Sequence, residues 1–280
     1  MWMDADDYFT DDQLIKFIEL KNSIPDNADV IMTRYCAVIN DSADFYFYRE
    51  RMFRNTIDYK WVGRVHESVA HNGRLYYADI SIMHKSAKTS YSKRNLNIYE
   101  KQIMDGEELS VRDMFYFGRE LYYHAYYEKA LIVLHEFIDS GKGWIENNIE
   151  ACKIASYCYQ HLDGKTKALE MLTKTFQYDI PRADICCEIG KIFMDLNKYE
   201  VAAFWYETAL KSQKNEKNGG FILNDCYGYL PCIQLCVCYY KLGDIEKSKL
   251  YNEKAGEFKP KSEAYLYNLK FFKSLSSNPS

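Results

Sequence analysis

Three acidic residues lie within four positions near the start of the chain, directly behind a short apolar run. Asp4, Asp6 and Asp7 follow residues 1–3, Met-Trp-Met. If the apolar run ends a buried strand, Asp4 and Asp6 lie at its carboxyl end, where open α/β sheets bind their ligands. Carboxylate oxygens are hard ligands that suit a divalent cation bridging phosphate groups. The spacing therefore predicts a cation site at Asp4 and Asp6.

The same residues also fit a polar turn that leads into a helix. Thr10 is followed three positions later by Gln13, which is the spacing of a capping box. Asp11 and Asp12 suit the positive end of the helix that would follow. On spacing alone the turn is the more common outcome for so short a motif.

Composition restricts the class of protein. A chain of 280 residues favours about two domains, and a net charge of −4 argues against electrostatic capture of nucleic acid. The 16% of aromatic residues indicates packed helices rather than disorder. Nine cysteines lack metal-ligand spacing, and neither a membrane span nor a signal peptide is visible. We therefore expect a soluble, cytoplasmic protein with reduced thiols.

The first 85 residues contain most of the strand signals. Runs rich in β-branched and aromatic residues predict strands at Val30–Ile39, 45–53 and 75–83. Leu14, Phe17 and neighbouring apolar residues recur at helical spacing and predict a short amphipathic helix.

From residue 92 onward the pattern is helical, and one pattern of small, aromatic and alanine residues recurs four times. In every copy a small residue precedes a second small residue by twelve positions, and the copies are offset by 38, 34 and 46 residues. The pairs are Gly118 and Ala130, Ser156 and Ala168, Gly190 and Ala202, and Cys236 and Ser248. Small residues at facing positions let two helices approach closely. The pattern predicts stacked helix–turn–helix units.

These copies resemble the tetratricopeptide repeat (TPR), a helix–turn–helix unit of about 34 residues. The early Trp of that repeat is replaced here by Met114, Cys152, Cys186 and Cys232. The offset of 46 residues predicts a loop insertion around residues 213–226. The resemblance implies a predominantly helical TPR superhelix, and residues 262–275 are expected to cap its last exposed face.

Three motifs in the first third resemble family-2 glycosyltransferases of the GT-A fold, and most closely bacterial members that carry TPRs behind the catalytic domain. They are Met-Asp-Ala-Asp-Asp at 3–7, Arg-Glu-Arg-Met-Phe-Arg-Asn at 49–55 and Trp-Val-Gly-Arg-Val-His-Glu at 61–67. The resemblance implies that Asp4 and Asp6 form the Asp-x-Asp motif. They would hold Mg²⁺ or Mn²⁺ against the diphosphate of a nucleoside-diphosphate sugar. His84, at the end of a strand, would be a third metal ligand, although residues 85–87 depart from the family.

The transferase chemistry implied by the resemblance needs a cation at the departing diphosphate and a base for the acceptor. Glu67 is the expected base, with His66 orienting it or replacing it. Trp61 would form an apolar wall for the sugar, and Arg54 would approach phosphate. Each also has an ordinary structural interpretation: a satisfied histidine at 66, a surface carboxylate at 67, a core tryptophan at 61 and a solvated arginine at 54.

The resemblance and the repeats together predict five segments. They are a partial GT-A domain, an α+β remnant, at 1–90, a connecting helix at 91–110, four repeats at 111–260, a capping helix at 261–275 and a tail at 276–280. The nucleotide-binding half of the GT-A fold would precede the acidic motif. We therefore expect a fragment that neither binds a sugar nucleotide tightly nor turns it over alone, and whose open sheet edge could pair with a second copy.

Two alternatives to a glycosyltransferase fragment stay open. The repeats could form a non-catalytic adaptor that binds a peptide or protein, or they could serve only for dimerisation. Geometry separates these alternatives from the transferase, because an intact cation site brings Asp4, Asp6 and His84 within coordination reach.

Overall fold

The computed structural model describes residues 1–39, 42–55, 59–69, 73–85 and 92–277. By its internal contacts the chain forms two compact units. The first unit comprises Met1–Cys158 and Asn215–Ile222, and the second comprises Tyr159–Lys214 and Leu223–Ser280. The chain is predominantly helical with a small sheet portion, as the sequence predicts.

Seven short or medium strands form two sheets in the described residues. The strands are β1 (Asp7–Tyr8), β2 (Val30–Ile39), β3 (Ser42–Phe53), β4 (Trp61–Val62), β5 (Ser68–Val69), β6 (Leu75–His84) and β7 (Ile222–Leu223). The five-stranded sheet has the order β1-β6-β2-β3-β7, and β4 pairs with β5. β2 is parallel to β6 and antiparallel to β3. The three longer strands confirm the strands expected from the sequence.

The apolar run at residues 1–3 is not a strand, so that expectation is wrong. The sheet begins instead at Asp7, which pairs with His84. Residues 4–7 form a turn in which the Asp7 N–H donates to the Asp4 carbonyl at 3.1 Å. The Asp4 N–H donates to Asp7 Oδ2 at 3.0 Å, so the turn uses the backbone groups that a strand would need for pairing.

The expected first helix, α1 (Asp11–Ser23), begins after the extended N-cap residue Thr10. The capping box does not form: the Thr10 side chain accepts no hydrogen bond from the helix, and its hydroxyl donates to Asp12 Oδ1 at 2.5 Å. Gln13 Oε1 accepts from the Ser81 N–H of β6 at 2.7 Å. Gln13 thereby satisfies a backbone donor of the sheet rather than one of its own helix.

Ten further helices follow in the described residues. They are α2 (Arg94–Met104), α3 (Val111–Tyr123), α4 (Tyr127–Asp139), α5 (Ile145–His161), α6 (Lys165–Lys174), α7 (Ala183–Asp195), α8 (Tyr199–Lys211), α9 (Tyr229–Lys241), α10 (Ile245–Phe258) and α11 (Glu263–Ser277), with 3₁₀ turns at Thr175–Gln177 and Asn224–Tyr227. None of the described helices is both long enough and apolar enough to cross a membrane.

The small residues twelve positions apart bring paired helices into close contact. A Cβ added at Gly118 of α3 would lie 2.7 Å from Leu134 Cδ2 of α4. A Cβ added at Gly190 of α7 would lie 2.9 Å from Tyr206 Cζ of α8. This close approach within helix pairs is the packing expected of TPR-like units.

In a third helix pair, α9 and α10, a hydrogen bond joins the two small residues of the repeat, Cys236 and Ser248. Ser248 Oγ donates to the Cys236 carbonyl at 2.7 Å, and Ser248 is fully buried. The second small residue of the repeat therefore also satisfies a polar group in this pair.

The insertion expected around residues 213–226 belongs in large part to the sheet unit. Glu216 Oε1 accepts from the Tyr46 hydroxyl at 2.6 Å, and Glu216 Oε2 lies 3.5 Å from Arg34 Nη2. The Phe221 ring meets the Phe47 ring edge-on, with centroids 4.9 Å apart. Residues 215–222 of the insertion are therefore part of the first unit, whereas residues 213–214 and 223–226 belong to the second.

The last helix, α11, packs where the sequence predicts a cap. Tyr265 contacts Gly256 of α10, and Asn268 Nδ2 donates to Asn252 Oδ1 at 3.0 Å. The helix continues to Ser277, so it includes the first residues of the expected tail; residues 278–280 lie outside the described residues.

Candidate functional site

The pairing of β1 with β6 brings two aspartates and a histidine together in the first unit. His84 Nδ1 lies 3.0 Å from Asp7 Oδ1 and 3.5 Å from Asp6 Oδ1. Asp6, Asp7 and His84 each offer a ligand atom, and these atoms lie within 4.8 Å of one another. We refer to these three residues as the Asp6–Asp7–His84 group.

The group differs from the sequence-derived set in one residue. Asp6 and His84 come together as expected, whereas Asp7 takes the place given to Asp4. The difference follows from the turn at 4–7, because Asp7 is the residue whose backbone pairs with His84. Asp4 contributes its backbone N–H to Asp7 and does not belong to the group.

A buried ion pair holds the Asp7 carboxylate in place. Arg51 Nη2 lies 2.8 Å from Asp7 Oδ2, and both side chains are 0% exposed. The Asp4 N–H donates to the same oxygen, so Oδ2 has one hydrogen-bond donor besides the guanidinium charge, and Oδ1 faces His84. Burial lowers the pKa of Arg51 from its usual value, and the Asp7 carboxylate opposes that shift.

The donor set and its spacing fit a divalent cation. Neighbouring ligands at right angles around an ion, each at about 2.1 Å, lie about 3 Å apart. His84 Nδ1 is hydrogen-bonded to Asp7 Oδ1 at 3.0 Å and lies 3.5 Å from Asp6 Oδ1; both separations are close to that value, although the hydrogen bond alone accounts for the first. Two carboxylates and one imidazole suit Mn²⁺ or Zn²⁺ at least as well as Mg²⁺.

Aromatic and cationic side chains border the group. The guanidinium carbons of Arg51 and Arg49 lie 4.0 and 4.4 Å from the centroid of the Trp2 ring. Trp2 in turn meets Trp61 edge-on at 5.1 Å, and Trp61 is 49% exposed. Trp61 is therefore not a core residue, and it reaches the neighbourhood of the group through Trp2 and Arg51.

Tyr35 of β2 also belongs to this neighbourhood, and sequence reasoning missed it. Its ring centroid lies 5.1 Å from that of His84 and 5.2 Å from the Arg51 guanidinium carbon. Burial, aided by the nearby Asp7 carboxylate, raises the pKa of Tyr35 above its usual range, so its hydroxyl stays protonated. The sequence did not indicate this contact, because it depends on the register of β2 with β6, which pairs Ala37 with His84 and so places Tyr35 two residues away on the same face of the sheet.

His66 has a structural role in the first unit. It adopts a positive φ of 52°, and its Nε2 lies 3.1 Å from Glu120 Oε1 of α3. Its ring stacks on Tyr116 at 4.3 Å, and its carbonyl accepts from Arg112 at 3.0 Å. The described polar contacts of His66, which include Arg119, join the loop after β4 to α3 rather than to the Asp6–Asp7–His84 group.

The surroundings of His66 favour its neutral form. Burial is the largest cause that lowers its pKa, and the Arg119 and Arg112 charges act in the same direction. The hydrogen bond to Glu120 opposes them. The neighbouring Glu67 is exposed, so the two residues expected to act together have different environments.

Arg54 lies at the other end of the sheet from His84. It follows β3 and is paired with Asp29, whose Oδ1 accepts from Arg54 Nε at 3.0 Å. Val30 of β2 pairs with Phe53, and Ala37 of β2 pairs with His84. These two positions of β2 are seven residues apart, which is about 23 Å at a rise of about 3.3 Å per residue. The structure therefore does not bring Arg54 to the Asp6–Asp7–His84 group.

Arg54 instead borders a small cavity of about 210 Å³. Apolar side chains from β2, β3 and the loop after α1 form most of its wall, and Asp26 and Asp29 add carboxylates. The Arg54 guanidinium also donates to the Ala28 carbonyl at 2.7 Å, so it already has protein acceptors on several sides.

Comparisons with known proteins give only distant structural likenesses. No protein-family model matches the sequence, and no curated protein matches it. Among solved structures, the pilF protein of Pseudomonas aeruginosa is 13% identical, over 62% of this chain and 72% of that chain, with a TM-score of 0.46. A MamA structure is 16% identical, over 58% of this chain and 85% of that chain, with a TM-score of 0.47. A tetratricopeptide repeat protein from Parabacteroides merdae is 12% identical, over 61% of this chain and 67% of that chain, with a TM-score of 0.44.

Likenesses this distant carry no functional argument, and the TPR-like description depends on the chain's own helix pairs. The glycosyltransferase resemblance has no counterpart among these three structures and stays a prediction.

Proposed function

We propose that the chain is an adaptor whose helical repeats bind a protein partner. The observation that carries this proposal is a surface of the second unit where two exposed apolar side chains of α8 adjoin two partly buried aromatic rings. We call it the α8 patch and define it by Val201, Phe204, Trp205 and Phe176.

The buried residues and the exposed apolar residues of α8 lie on different faces of the helix. Ala202, Ala203 and Tyr206 are buried and pack in the core of the second unit. Phe204 and Val201 lie on the opposite face and are 60% and 38% exposed. The packing of α8 is therefore complete without the exposed side chains.

Neighbouring rings make the patch continuous. The Trp205 ring meets Phe204 edge-on at 5.5 Å and stacks against Phe176 at 6.1 Å. Exposed clusters of large aromatic side chains are unusual on a protein surface that has no partner, and aromatic residues dominate the centres of protein interfaces.

The partner that suits this surface is a protein segment with an apolar helix face. Apolar side chains spaced by three or four residues on such a segment would match the spacing of Val201, Phe204 and Trp205. Glu200 and Lys211, both exposed on the same helix, give the surroundings mixed charge, which does not favour nucleic acid or an anionic membrane. All nine cysteines are free and buried, and a reducing compartment such as the cytoplasm is part of this proposal.

A displayed library of random peptides tests the proposal with a defined probe. Peptides selected on the whole chain are titrated against the wild type, Phe204→Ala and a control, Tyr267→Ala. Tyr267 is an aromatic residue on α11 that is 70% exposed. We expect Phe204→Ala to weaken binding by about 30-fold, the effect of an interface hot spot, and the control to change it little. Selected peptides that bind both variants as well as the wild type would contradict the proposal.

A second function, metal-dependent sugar transfer, is favoured by one observation, the Asp6–Asp7–His84 group. Asp6, Asp7 and His84 would hold Mg²⁺ or Mn²⁺, which when bound would neutralise the diphosphate of a nucleoside-diphosphate sugar. Trp61, half exposed beside Trp2, would border that ligand. Glu67 is exposed and stays the candidate base, whereas His66 is held by α3.

Titration of Mn²⁺, followed by electron paramagnetic resonance, tests this second function apart from the first. We expect the wild type to bind Mn²⁺, and His84→Ala and Asp6→Asn to bind it more weakly. His161→Ala, at the exposed end of α5, is the control and should bind as the wild type does. Equal affinity in all four proteins would remove the transferase proposal and leave partner binding untouched. Micromolar binding of a nucleoside-diphosphate sugar with Mn²⁺ would support transfer and contradict the expectation that this chain alone does not bind one tightly.

A further inference from the structure

The first helix of the chain carries apolar side chains on two opposite faces. Its inner face buries Leu20 and packs Phe17 against the sheet. Its outer face exposes Leu14, Ile15 and Ile18, which are 44%, 59% and 52% exposed. A helix that covers one sheet needs one apolar stripe, so the second stripe is not explained by the fold of the first unit.

Polar contacts fix the rotation of α1, so the outer stripe cannot simply turn inward. Lys16 Nζ lies 2.9 Å from Asp79 of β6, and Gln13 accepts from the Ser81 N–H at 2.7 Å. Both residues lie on the side of the helix that faces the sheet. The outer stripe is therefore directed away from the sheet.

Charges at the two ends of α1 are opposite in sign. Asp11 and Asp12 occupy the first turn, and Lys21 occupies the last turn. Hydrogen bonds from Thr10 and Gln13 lower the pKa of Asp12 from its usual value, so its carboxylate is charged at neutral pH. If two such helices lie antiparallel, the acidic end of each meets the Lys21 end of the other, and their dipoles are opposed favourably.

We propose that α1 pairs in antiparallel orientation with α1 of a second copy of this chain. In that arrangement Ile15 of one copy packs near Ile18 of the other, and Leu14 lies beside them. The Asp11 carboxylate of each copy faces Lys21 of its partner, so opposite charges meet at both ends of the contact. The surface is thus self-complementary in shape and charge, as a two-fold contact requires.

The size of the surface sets the expected strength. A helix of 13 residues is about 20 Å long, so one pair of such helices falls at the small end of specific interfaces. We therefore expect a reversible dimer with a dissociation constant in the micromolar range. A membrane surface suits the stripe less well, because Asp11, Asp12 and Glu19 flank it and would be repelled by anionic lipid.

Analytical ultracentrifugation of the whole chain across a concentration series tests the proposal. The wild type should shift from monomer to dimer with rising concentration. Ile18→Glu should raise the dissociation constant at least about 100-fold, because each dimer loses two packed isoleucines. Ile132→Glu is the matched control, since Ile132 is an isoleucine on α4 that is 69% exposed, and it should dimerise as the wild type does. Circular dichroism of both variants checks that they fold.

Charge reversal provides a second test, in which the expected result is recovery of the dimer and cannot arise from loss of folding. Lys21→Glu alone should weaken the dimer, because like charges then meet at both ends. Combining it with Asp11→Lys should restore the dimer. A wild type that stays monomeric throughout the series, a dimer that survives Ile18→Glu, or a failure of the double variant to recover would overturn the proposal. Sedimentation of a monomeric wild type with phosphatidylcholine vesicles would also overturn it and assign the stripe to a membrane surface.

Discussion

The buried ion pair between Arg51 and Asp7 makes a strong prediction about stability. Both side chains are 0% exposed, and Arg51 Nη2 lies 2.8 Å from Asp7 Oδ2. Arg51→Met would remove the cation with little change in side-chain length and leave the Asp7 anion buried. Breaking a buried pair in this way costs about 3–5 kcal/mol, because the remaining carboxylate is unsolvated and keeps only the Asp4 N–H and His84 as partners.

A matched control is available on the surface of the same unit. Arg64 Nη2 lies 2.6 Å from Glu107 Oε2, but the two side chains are 56% and 43% exposed. Arg64→Met makes the same chemical change to an exposed pair and should cost less than about 1 kcal/mol. The contrast between the two variants isolates the effect of burial.

Urea unfolding followed by tryptophan fluorescence measures both variants. Trp2 contacts Arg51, so its emission reports on this site, and a Trp205→Phe background removes the tryptophan of the second unit. The double variant Arg51→Met with Asp7→Asn should be more stable than the sum of the two single losses predicts, since no charge is then left unpaired. A loss for Arg51→Met no larger than that for Arg64→Met would refute the reasoning about the site.

Three further predictions concern the helix pairs, the histidine and the insertion. Gly118→Ala should destabilise the chain in urea, because the new Cβ would lie 2.7 Å from Leu134 Cδ2. The cost of this overpacking, about 1–3 kcal/mol, outweighs the gain in helix propensity of about 1 kcal/mol. In a Leu134→Ala background the same substitution should stabilise the chain instead. Because the pKa of His66 is lowered in the folded chain, the unfolded chain binds a proton more readily at this histidine, so the contribution of His66 to stability is present above about pH 6.5 and is lost as the pH falls below that value. His66→Gln should therefore reduce the difference in urea midpoint between pH 7.5 and pH 5.5. An unchanged difference would contradict the assignment. Glu216→Gln should speed tryptic cleavage after Lys217, because the insertion loses charge-assisted contacts to Arg34 and Tyr46 of the sheet. An unchanged cleavage rate would show that those contacts do not hold the insertion in place.

Local patterns predicted the elements whose folding depends on neighbours in sequence. The run Val30–Ile39 forms β2 with the expected bounds, because its β-branched residues suit a buried strand. The twelve-residue spacing of Gly118 and Ala130, and of Cys236 and Ser248, predicted the helix pairs, since small residues at those positions decide how closely the helices approach.

Contacts between distant residues account for what the sequence did not predict. Asp7 rather than Asp4 joins Asp6 and His84, because β1 pairs with β6 across 77 positions and a turn takes Asp4 away from the group. Which of three adjacent carboxylates faces a strand is a matter of register, and composition does not encode it.

The sequence of the insertion also does not indicate that it packs against the sheet. Glu216 and Tyr46 are separated by 170 positions, so neither residue alone indicates their hydrogen bond. His66 was singled out for its chemistry, but its partner Glu120 lies on a repeat helix, where an acidic residue would ordinarily be expected on the surface.

Amide hydrogen exchange of the whole chain with and without a selected peptide tests the central proposal, partner binding at the α8 patch, most directly. The account predicts that the peptide slows exchange in α8 and in the 3₁₀ turn at Thr175–Gln177, while α11 exchanges as before. Slowed exchange confined to other elements, with α8 unchanged, would contradict it.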